Sequence, residues 1–168
     1  MEETGQILGK KQTEQKITRI AHEILENNFS EKEIILAGVA PCGYTLSKLL
    51  IKKLEKISDV KISLIKITLD KDAPLQSEIE LDCDLSKISK KPVILVDDVL
   101  NTGRTLAYSF KPFLNADVKK LQVAVIVDRD HKQFPVHADY VGYSLSTTLQ
   151  EHIKVELQDK KTFGVYLG

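Results

Sequence analysis

The sequence predicts an α/β fold, a parallel twisted sheet flanked by helices, and three observations lead to that prediction. Apolar residues at helical spacing alternate along the chain with short β-branched runs. No internal repeat, low-complexity tract or linker composition interrupts this alternation. The 168 residues suit one domain with a core of ordinary size. We therefore expect residues 1–168 to form a single domain with one ligand site.

The first half of the chain is predicted to contain two helices and two strands. Apolar residues at helical spacing predict one helix over residues 13–28 and a second helix that starts near Leu46. Between them, residues 33–37 predict a buried strand and residues 38–43 predict a loop. Residues 60–67 alternate apolar and polar side chains, which predicts the next strand.

The second half begins with a long polar segment, residues 68–91, whose lack of periodicity is typical of a functional lid or a disordered insertion. After it, Pro92 precedes the apolar run 93–96, which predicts a buried strand. Residues 121–127 predict the last interior strand. The remaining residues, 138–168, are predicted to form a small cap and a final strand, with strands at 139–142, 153–157 and 162–167.

Two carboxylates and a hydroxyl-rich turn follow the strand at residues 93–96. Asp97 and Asp98 are expected at the carboxyl end of that strand, where open α/β sheets bind ligands at a topological switch point. The turn and the helix start that follow consist of Asn101, Thr102, Gly103, Arg104 and Thr105. Unpaired backbone N–H groups at such a helix start point at one spot and favour an anion.

The combination of acids and turn predicts a ribose 5-phosphate site. A phosphate fits the turn, but the carboxylates of Asp97 and Asp98 would repel it. They must therefore face another group about one sugar length away, and ribose hydroxyls are the natural partners because a carboxylate accepts hydrogen bonds from vicinal diols. The alternative is an acidic strand end followed by a helix that Thr102 caps.

Residues 93–105 resemble the phosphoribosyl-diphosphate (PRPP) signature of type I phosphoribosyltransferases. Residues 17–23, 125–131 and 138–142 are similar to the bifunctional pyrimidine-operon regulators that have uracil phosphoribosyltransferase activity. The resemblance implies the type I fold, with a flexible loop at residues 68–91 and a small C-terminal cap called the hood. It also implies the site roles: Asp97 and Asp98 as the catalytic pair on the ribose hydroxyls with Mg²⁺ held nearby through PRPP, and Asn101, Thr102, Gly103, Arg104 and Thr105 on the 5-phosphate.

A second loop matches the position of the family's pyrophosphate loop, and it consists of Val39, Ala40, Pro41, Cys42 and Gly43. Relatives usually carry Lys, Thr and Arg at positions 40–42, so this chain lacks two cations beside the leaving group, and Mg²⁺ would have to carry more of its charge. Asp70-Lys71 likewise stands where relatives have Tyr-Arg. We hypothesise a cis Ala40–Pro41 bond, since cis is least costly before proline; the alternative is that Pro41 only ends the strand.

Charge and cysteine content limit the partners that we expect. Lys plus Arg equals Asp plus Glu, at 24 each, so no bulk field gathers polyanions. RNA is kept as a disfavoured partner: Arg19 and His22 share one helix face that could contact it, and a solvated or dimer-facing surface explains the same two residues equally well. Cys42 and Cys83 are too few for a disulfide framework or a zinc site, and no apolar leader or membrane span is present, so a cytoplasmic protein is expected.

The resemblance and the site together predict transfer of the ribose 5-phosphate unit of PRPP to a nucleobase, with uracil as the first choice. Asn101 replaces the acid that purine-type enzymes place near the base, which argues against a purine. The weakened pyrophosphate loop leaves an alternative open, a PRPP- or nucleotide-sensing regulator with little or no turnover. By resemblance, the chain is expected to form a homodimer or a larger homo-oligomer.

Overall fold

The computed structural model describes residues 5–75, 78–148 and 150–168, which form two sheets and the helices that pack on them. The helices are α1 (Lys10–Asn27), α2 (Cys42–Ile57), α3 (Arg104–Ser109) and α4 (Lys111–Leu114), with a 3-10 turn at Leu85–Ile88. The strands are β1 (Gly5–Leu8), β2 (Glu33–Val39), β3 (Lys61–Thr68), β4 (Glu80–Leu81), β5 (Pro92–Leu100), β6 (Lys120–Asp128), β7 (Tyr140–Ser144), β8 (Ile153–Glu156) and β9 (Gly164–Leu167).

The main sheet has the strand order β4-β3-β2-β5-β6-β7, and all neighbours from β3 to β7 are parallel. The chain passes from β2 to β3 on one side, and later returns to the other side of β2 as β5. The order therefore reverses between β2 and β5. In open α/β sheets, ligands bind at the carboxyl ends of the strands at such a switch point.

Alternating side chains of the central strands fill two cores, one on each face of the main sheet. Ile34 and Ile94 belong to the core beneath α1 and α2, whereas Ile35 and Leu95 belong to the core beneath α3. Successive side chains of a strand point to opposite faces, so a strand buried on both sides is apolar throughout. The continuous β-branched runs of the sequence arise from this double burial.

Most predicted elements are confirmed, with shifted ends. The helix predicted over residues 13–28 starts at Lys10, and the strand predicted over residues 33–37 continues to Val39. The predicted 38–43 loop is therefore reduced to Ala40 and Pro41, because β2 stays paired with β3 up to Val39. The strand after Pro92 extends through the acid pair to Leu100, since it pairs with β6 along this length.

The assignment of residues 139–142 to the hood is wrong, because this segment belongs to the main sheet. β7 pairs in parallel with β6, and the Tyr140 side chain is buried in the core beneath α1. A Cβ atom at Gly142 would lie 2.6 Å from the Ile126 carbonyl oxygen, so glycine permits this close pairing. The hood sheet is formed instead by β1, β9 and β8, and the sequence did not predict β1.

The long polar segment carries a short hairpin-like pair of strands. β4 lies antiparallel to β3 at the edge of the main sheet, and the 3-10 turn follows it. Residues 76–77, within the predicted flexible loop, lie outside the described residues. Across the three described ranges, the structure contains no helix with both the length and the apolar character that crossing a membrane requires.

Candidate active site

A cavity of about 240 Å³ opens at the carboxyl end of β5, beside the switch point. Its walls contain both acids and all five residues of the predicted phosphate turn: Asp97, Asp98, Asn101, Thr102, Gly103, Arg104 and Thr105. Two residues distant in sequence complete it, Lys71 from the segment after β3 and Ile153 from the hood sheet. The hood and the polar segment thus contribute to the same cavity.

Hydrogen bonds from residues outside the cavity wall fix the shape of the turn at residues 101–105. The Thr102 carbonyl accepts hydrogen bonds from the amides of Gln133 and Phe134, at 2.8 and 3.0 Å, in the β6–β7 connection. The amides of Thr102, Gly103 and Thr105 donate no hydrogen bond to any residue of the described ranges. With the carbonyl turned outward and these donors unpaired, the turn offers N–H groups to an anion.

Gly103 has a left-handed backbone, with φ of 84°. A Cβ atom there would also lie 3.2 Å from the Val136 side chain, so the turn requires glycine. Gly103, not Thr102, is the N-cap of α3, and the Thr102 hydroxyl accepts a hydrogen bond from the Arg104 amide at 3.3 Å. Since α3 has only six residues, its macrodipole is weak, and the local amides are the principal donors.

The two acids occupy different environments. The Asp97 side chain is only 3% exposed, and its Oδ1 accepts hydrogen bonds from Lys71 Nζ at 3.3 Å and from the Asp98 amide at 2.9 Å. Asp98 is partly exposed and accepts from the Val99 amide at 2.9 Å. Burial and the neighbouring Asp98 charge raise the pKa of Asp97, and Lys71 opposes that shift in part.

The loop after β2 is tight and lies against β5. The Ala40–Pro41 peptide is cis, as hypothesised, and the Ala40 amide donates to the Ile67 carbonyl of β3 at 2.9 Å. A Cβ atom at Gly43 would lie 2.9 Å from the Asp97 Cα and would also meet the Val96 carbonyl. Glycine at position 43 therefore lets the first turn of α2 touch the strand that carries the acid pair.

The predicted pyrophosphate-loop residues do not line this cavity. Val39 to Gly43 are missing from its described walls, and Cys42 instead lines a neighbouring cavity together with Val155 and Gln158. Burial and Asp98 raise the pKa of the Cys42 thiol to about 11, so it stays protonated at neutral pH. This agrees with a small loop residue and not with a nucleophile.

Arg129 is a buried residue that the sequence predictions did not assign to the site. Its guanidinium donates to the Asn101 side chain at 3.0 Å, to the Thr147 hydroxyl at 2.8 Å, and to the carbonyls of Thr148 and Glu151. It therefore connects the phosphate turn to the segment before β8. Its position directly after a buried strand, at the same sheet edge as the acids, was the signal available in the sequence.

The residues considered for RNA and metals have other surroundings. Arg19 donates to the carbonyls of Val141 and Gly142, at 3.1 and 2.7 Å, and so links α1 to β7. His22, on the same helix, is exposed. Among the described residues, no three His, Cys, Asp or Glu side chains group closely enough to hold a metal ion by themselves.

The fold and the site together define a type I phosphoribosyltransferase architecture, in which an acid pair and an amide-lined turn share a cavity at the switch point. Residues 3–160 match the family model described as the phosphoribosyl transferase domain, and the chain belongs to this family.

Relatives and solved structures agree with this assignment. The chain is 39% identical to the bifunctional protein PyrR of Alkaliphilus metalliredigens over 157 residues, covering 86% of this chain and 85% of the relative. It is 36% identical to that of Clostridioides difficile, covering 94% and 93%. The hypoxanthine phosphoribosyltransferase of Trypanosoma cruzi shares the fold, with a TM-score of 0.79 at 17% identity over 96% of this chain and 94% of that one.

Proposed function

We propose that this protein transfers the ribose 5-phosphate unit of PRPP to a nucleobase, with uracil as the first choice, and releases pyrophosphate. One observation carries the proposal: a single cavity joins a carboxylate pair to a turn in which the amides of Thr102, Gly103 and Thr105 have no partner among the described residues. Its two chemistries suit the two ends of a phosphorylated ribose. Membership of the family and similarity to proteins named PyrR support the same reading.

The acids have separate roles in this proposal because their exposure differs. Asp98 is accessible and accepts hydrogen bonds from the ribose hydroxyls, whereas Asp97 lies deeper and adds its charge from below. Amides and hydroxyls of the turn from Asn101 to Thr105 hold the 5-phosphate. The backbone of Val39 to Gly43 then meets the pyrophosphate from the other side of the ribose.

The reaction breaks the bond from ribose C1 to the pyrophosphate oxygen, forms one from C1 to a nucleobase nitrogen, and releases the proton of that nitrogen to the solvent or the departing pyrophosphate. Positive charge develops on the ribose, so negative groups beneath it and fixed donors around both phosphates stabilise the transition state. Mg²⁺ bound with PRPP supplies charge neutralisation at the leaving group. Asp97 and Asp98 fit this ion, because Mg²⁺ is commonly held by one or two carboxylates together with substrate phosphates.

Turnover assays test the proposal directly. Purified protein is incubated with Mg-PRPP and each of several nucleobases, and nucleoside monophosphate and pyrophosphate are both quantified. We expect formation of both products with uracil, and at least a ~100-fold loss in Asp98→Asn, which keeps the side-chain shape but removes the charge. Failure of the wild-type protein to bind Mg-PRPP at millimolar concentration would refute the site assignment.

A second candidate function is supported by the loop after β2. Ala40, Pro41 and Cys42 provide no cation to a departing pyrophosphate. A PRPP- or nucleotide-sensing regulator would keep the cavity without needing rapid departure. Tight calorimetric binding of Mg-PRPP or UMP, with no pyrophosphate released alongside any nucleobase, would favour the sensor; measurable turnover with uracil would exclude a pure sensor.

The remaining expectations concern assembly and location. We expect a homodimer or a larger homo-oligomer by resemblance to the family, and a location in the cytoplasm because two cysteines are too few for a disulfide framework. Light scattering at several protein concentrations measures the assembly, and a molar mass of one chain at micromolar concentration would contradict it.

A further inference from the structure

The side chain of Asn101, in the wall of the cavity, is held by a buried arginine. Its Oδ1 atom accepts a hydrogen bond from Arg129 Nη1 at 3.0 Å, and Arg129 is only 8% exposed. Three further hydrogen bonds fix the same guanidinium, to the Thr147 hydroxyl and to the carbonyls of Thr148 and Glu151. Arg129 therefore cannot turn away from Asn101 without breaking its contacts to another segment of the chain.

This contact determines the orientation of the Asn101 amide. An asparagine amide has an acceptor oxygen and an NH2 donor group, whereas a guanidinium carries donors only. The reversed amide would bring two donors together and would leave an N–H group of the buried guanidinium without an acceptor. Arg129 therefore selects the orientation with Oδ1 toward itself and turns the Nδ2 amino group to the opposite side.

The Nδ2 amino group of Asn101 is left available to a ligand. It donates no hydrogen bond to any residue of the described ranges, and Asn101 is an exposed residue of the same cavity wall as the acid pair. A donor whose orientation is already fixed needs no rearrangement when a ligand binds. The structure thus holds a side-chain donor ready at the cavity, in addition to the backbone amides of the turn.

We infer that the Asn101 side chain donates a hydrogen bond to an acceptor oxygen of the bound ligand, and that Arg129 is the positioning residue that orients this donor. The inference rests on the proposed function and deepens it, because it names a side chain that favours acceptor groups over donor groups. Two parts of a nucleotide offer such an oxygen, the 5-phosphate and a carbonyl of the base. A ligand N–H group at the same place would set donor against donor.

Calorimetric titrations of Asn101→Ala with three probes test the inference and identify the acceptor. The probes are UMP, ribose 5-phosphate, which lacks the base, and uridine, which lacks the phosphate. We expect the Kd for UMP to rise about 3- to 30-fold, the range for one lost hydrogen bond. Ribose 5-phosphate should show the same rise if the acceptor is a phosphate oxygen, and uridine should show it if the acceptor is a base carbonyl.

Asn101→Asp separates the donor role from the packing of the residue. The Asp side chain has the same shape and still accepts from Arg129, so we expect resistance to urea at least equal to wild type. It offers no N–H group to the ligand, so the Kd for UMP should rise at least as much as in Asn101→Ala. A purely structural contact between Asn101 and Arg129 predicts the opposite, and retained UMP affinity in Asn101→Asp would overturn the inference.

Asn115→Asp is the matched control, because Asn115 is exposed at the end of α4, outside the wall of the cavity. It adds the same negative charge to the protein, and we expect its Kd for UMP to stay within about 2-fold of wild type, as screening weakens a distant charge. Equal losses in Asn115→Asp and Asn101→Asp would overturn the inference by showing a general effect of charge.

The inference and the proposed function fail in distinguishable ways. If wild-type protein binds UMP and Asn101→Ala binds it equally well, only the donor role of Asn101 is wrong. If wild-type protein binds neither UMP nor Mg-PRPP, the proposed function is wrong and the inference falls with it. Circular dichroism of each variant establishes that it is folded before either conclusion is drawn.

Discussion

The loops after β2 and β5 occupy equivalent places in the fold but are built in different ways. Each connects a central parallel strand to a helix at the switch point. The turn at residues 101–105 has a left-handed glycine, three amides without a partner in the described structure, and a carbonyl held outward by the β6–β7 connection. The loop of Ala40 and Pro41 is two residues long and pressed against its neighbours through Gly43.

This difference teaches that the proposed 5-phosphate site is local, whereas a pyrophosphate site at the loop after β2 would be composite. The phosphate turn carries its donors within five consecutive residues, so one stretch of sequence determines its chemistry. The loop after β2 has no charged side chain of its own, and Lys71, a cationic residue of the cavity wall that pairs with Asp97, lies about thirty positions further along the chain. Substitutions in the two regions should therefore have different effects on stability and on ligand affinity.

The largest effect is expected from Gly43→Ala, which attacks the packing of the loop after β2. The added methyl group would collide with the Val96 carbonyl and lie 2.9 Å from the Asp97 Cα, and backbone atoms cannot yield cheaply. We expect the free energy of unfolding to fall by about 3–5 kcal/mol, measured by urea denaturation. Gly5→Ala, where a methyl group meets nothing within 4 Å, is the control and should change it by less than about 0.5 kcal/mol. Equal stability of the two variants would show that α2 can move away from β5.

A somewhat smaller effect is expected from Arg129→Met, which removes the external support of the phosphate turn. The four hydrogen bonds of the buried Arg129 guanidinium disappear, and its acceptors, which include Asn101 Oδ1 and the Thr147 hydroxyl, lose that donor. We expect a loss of about 2–4 kcal/mol in unfolding free energy and at least ~10-fold weaker binding of ribose 5-phosphate.

Arg129→Lys separates charge from geometry in that experiment. It keeps the positive charge but cannot reach all four acceptors with a single ammonium. We expect it to recover only part of the stability and of the affinity. If lysine restores both fully, the residue acts through its charge alone and not by fixing the turn.

The local region was also the more predictable one. Strand β5, the acid pair and the turn follow one another in sequence, so periodicity and spacing placed them correctly before any tertiary contact was known. The cavity wall contains every residue predicted for the ribose 5-phosphate half, although its binding role stays a prediction. By contrast, Lys71 and Arg129 reach the site only because of strand order, and no local pattern encodes that order.

Short strands were the other elements that could not be predicted well from the sequence. Residues 139–142 carry an alternation that suits any half-buried strand, and pairing with β6 or with the hood cannot be told apart without knowing the sheet edge. β1 has four residues, three of them at least partly exposed, which leaves little apolar pattern to detect. Long strands that are buried on both faces, such as β2 and β5, have continuous apolar runs and were predicted from them.

Asp97→Asn should change how the free energy of unfolding depends on pH, with an effect of about 1–3 kcal/mol. Because burial and Asp98 raise the pKa of Asp97, the folded state binds its proton more tightly than the unfolded state does. The stabilisation that Asp97 gives the folded state is therefore fully present below the ordinary carboxyl pKa. It is lost as the pH rises through the raised pKa. Asn imitates the protonated acid, so without ligand the variant should match wild type near pH ~4 and exceed it near pH ~9. A difference between Asp97→Asn and wild type that stays constant with pH would contradict the raised pKa.

The smallest effects should come from a matched pair of threonines, one beside each loop. The Thr102 hydroxyl accepts from the Arg104 amide at 3.3 Å, and the Thr45 hydroxyl donates to the Pro41 carbonyl at 3.2 Å. Both bonds are long and lie in accessible places, so Thr102→Val and Thr45→Val should each cost under about 1 kcal/mol of stability. The two variants should differ in their affinity for ribose 5-phosphate. Thr102→Val loses a donor in the phosphate turn, so its Kd for ribose 5-phosphate should rise about 3- to 10-fold. Thr45→Val should leave that Kd within about 2-fold of wild type. Equal losses of affinity would mean that the 5-phosphate contacts both loops, and the division between a local and a composite site would no longer hold.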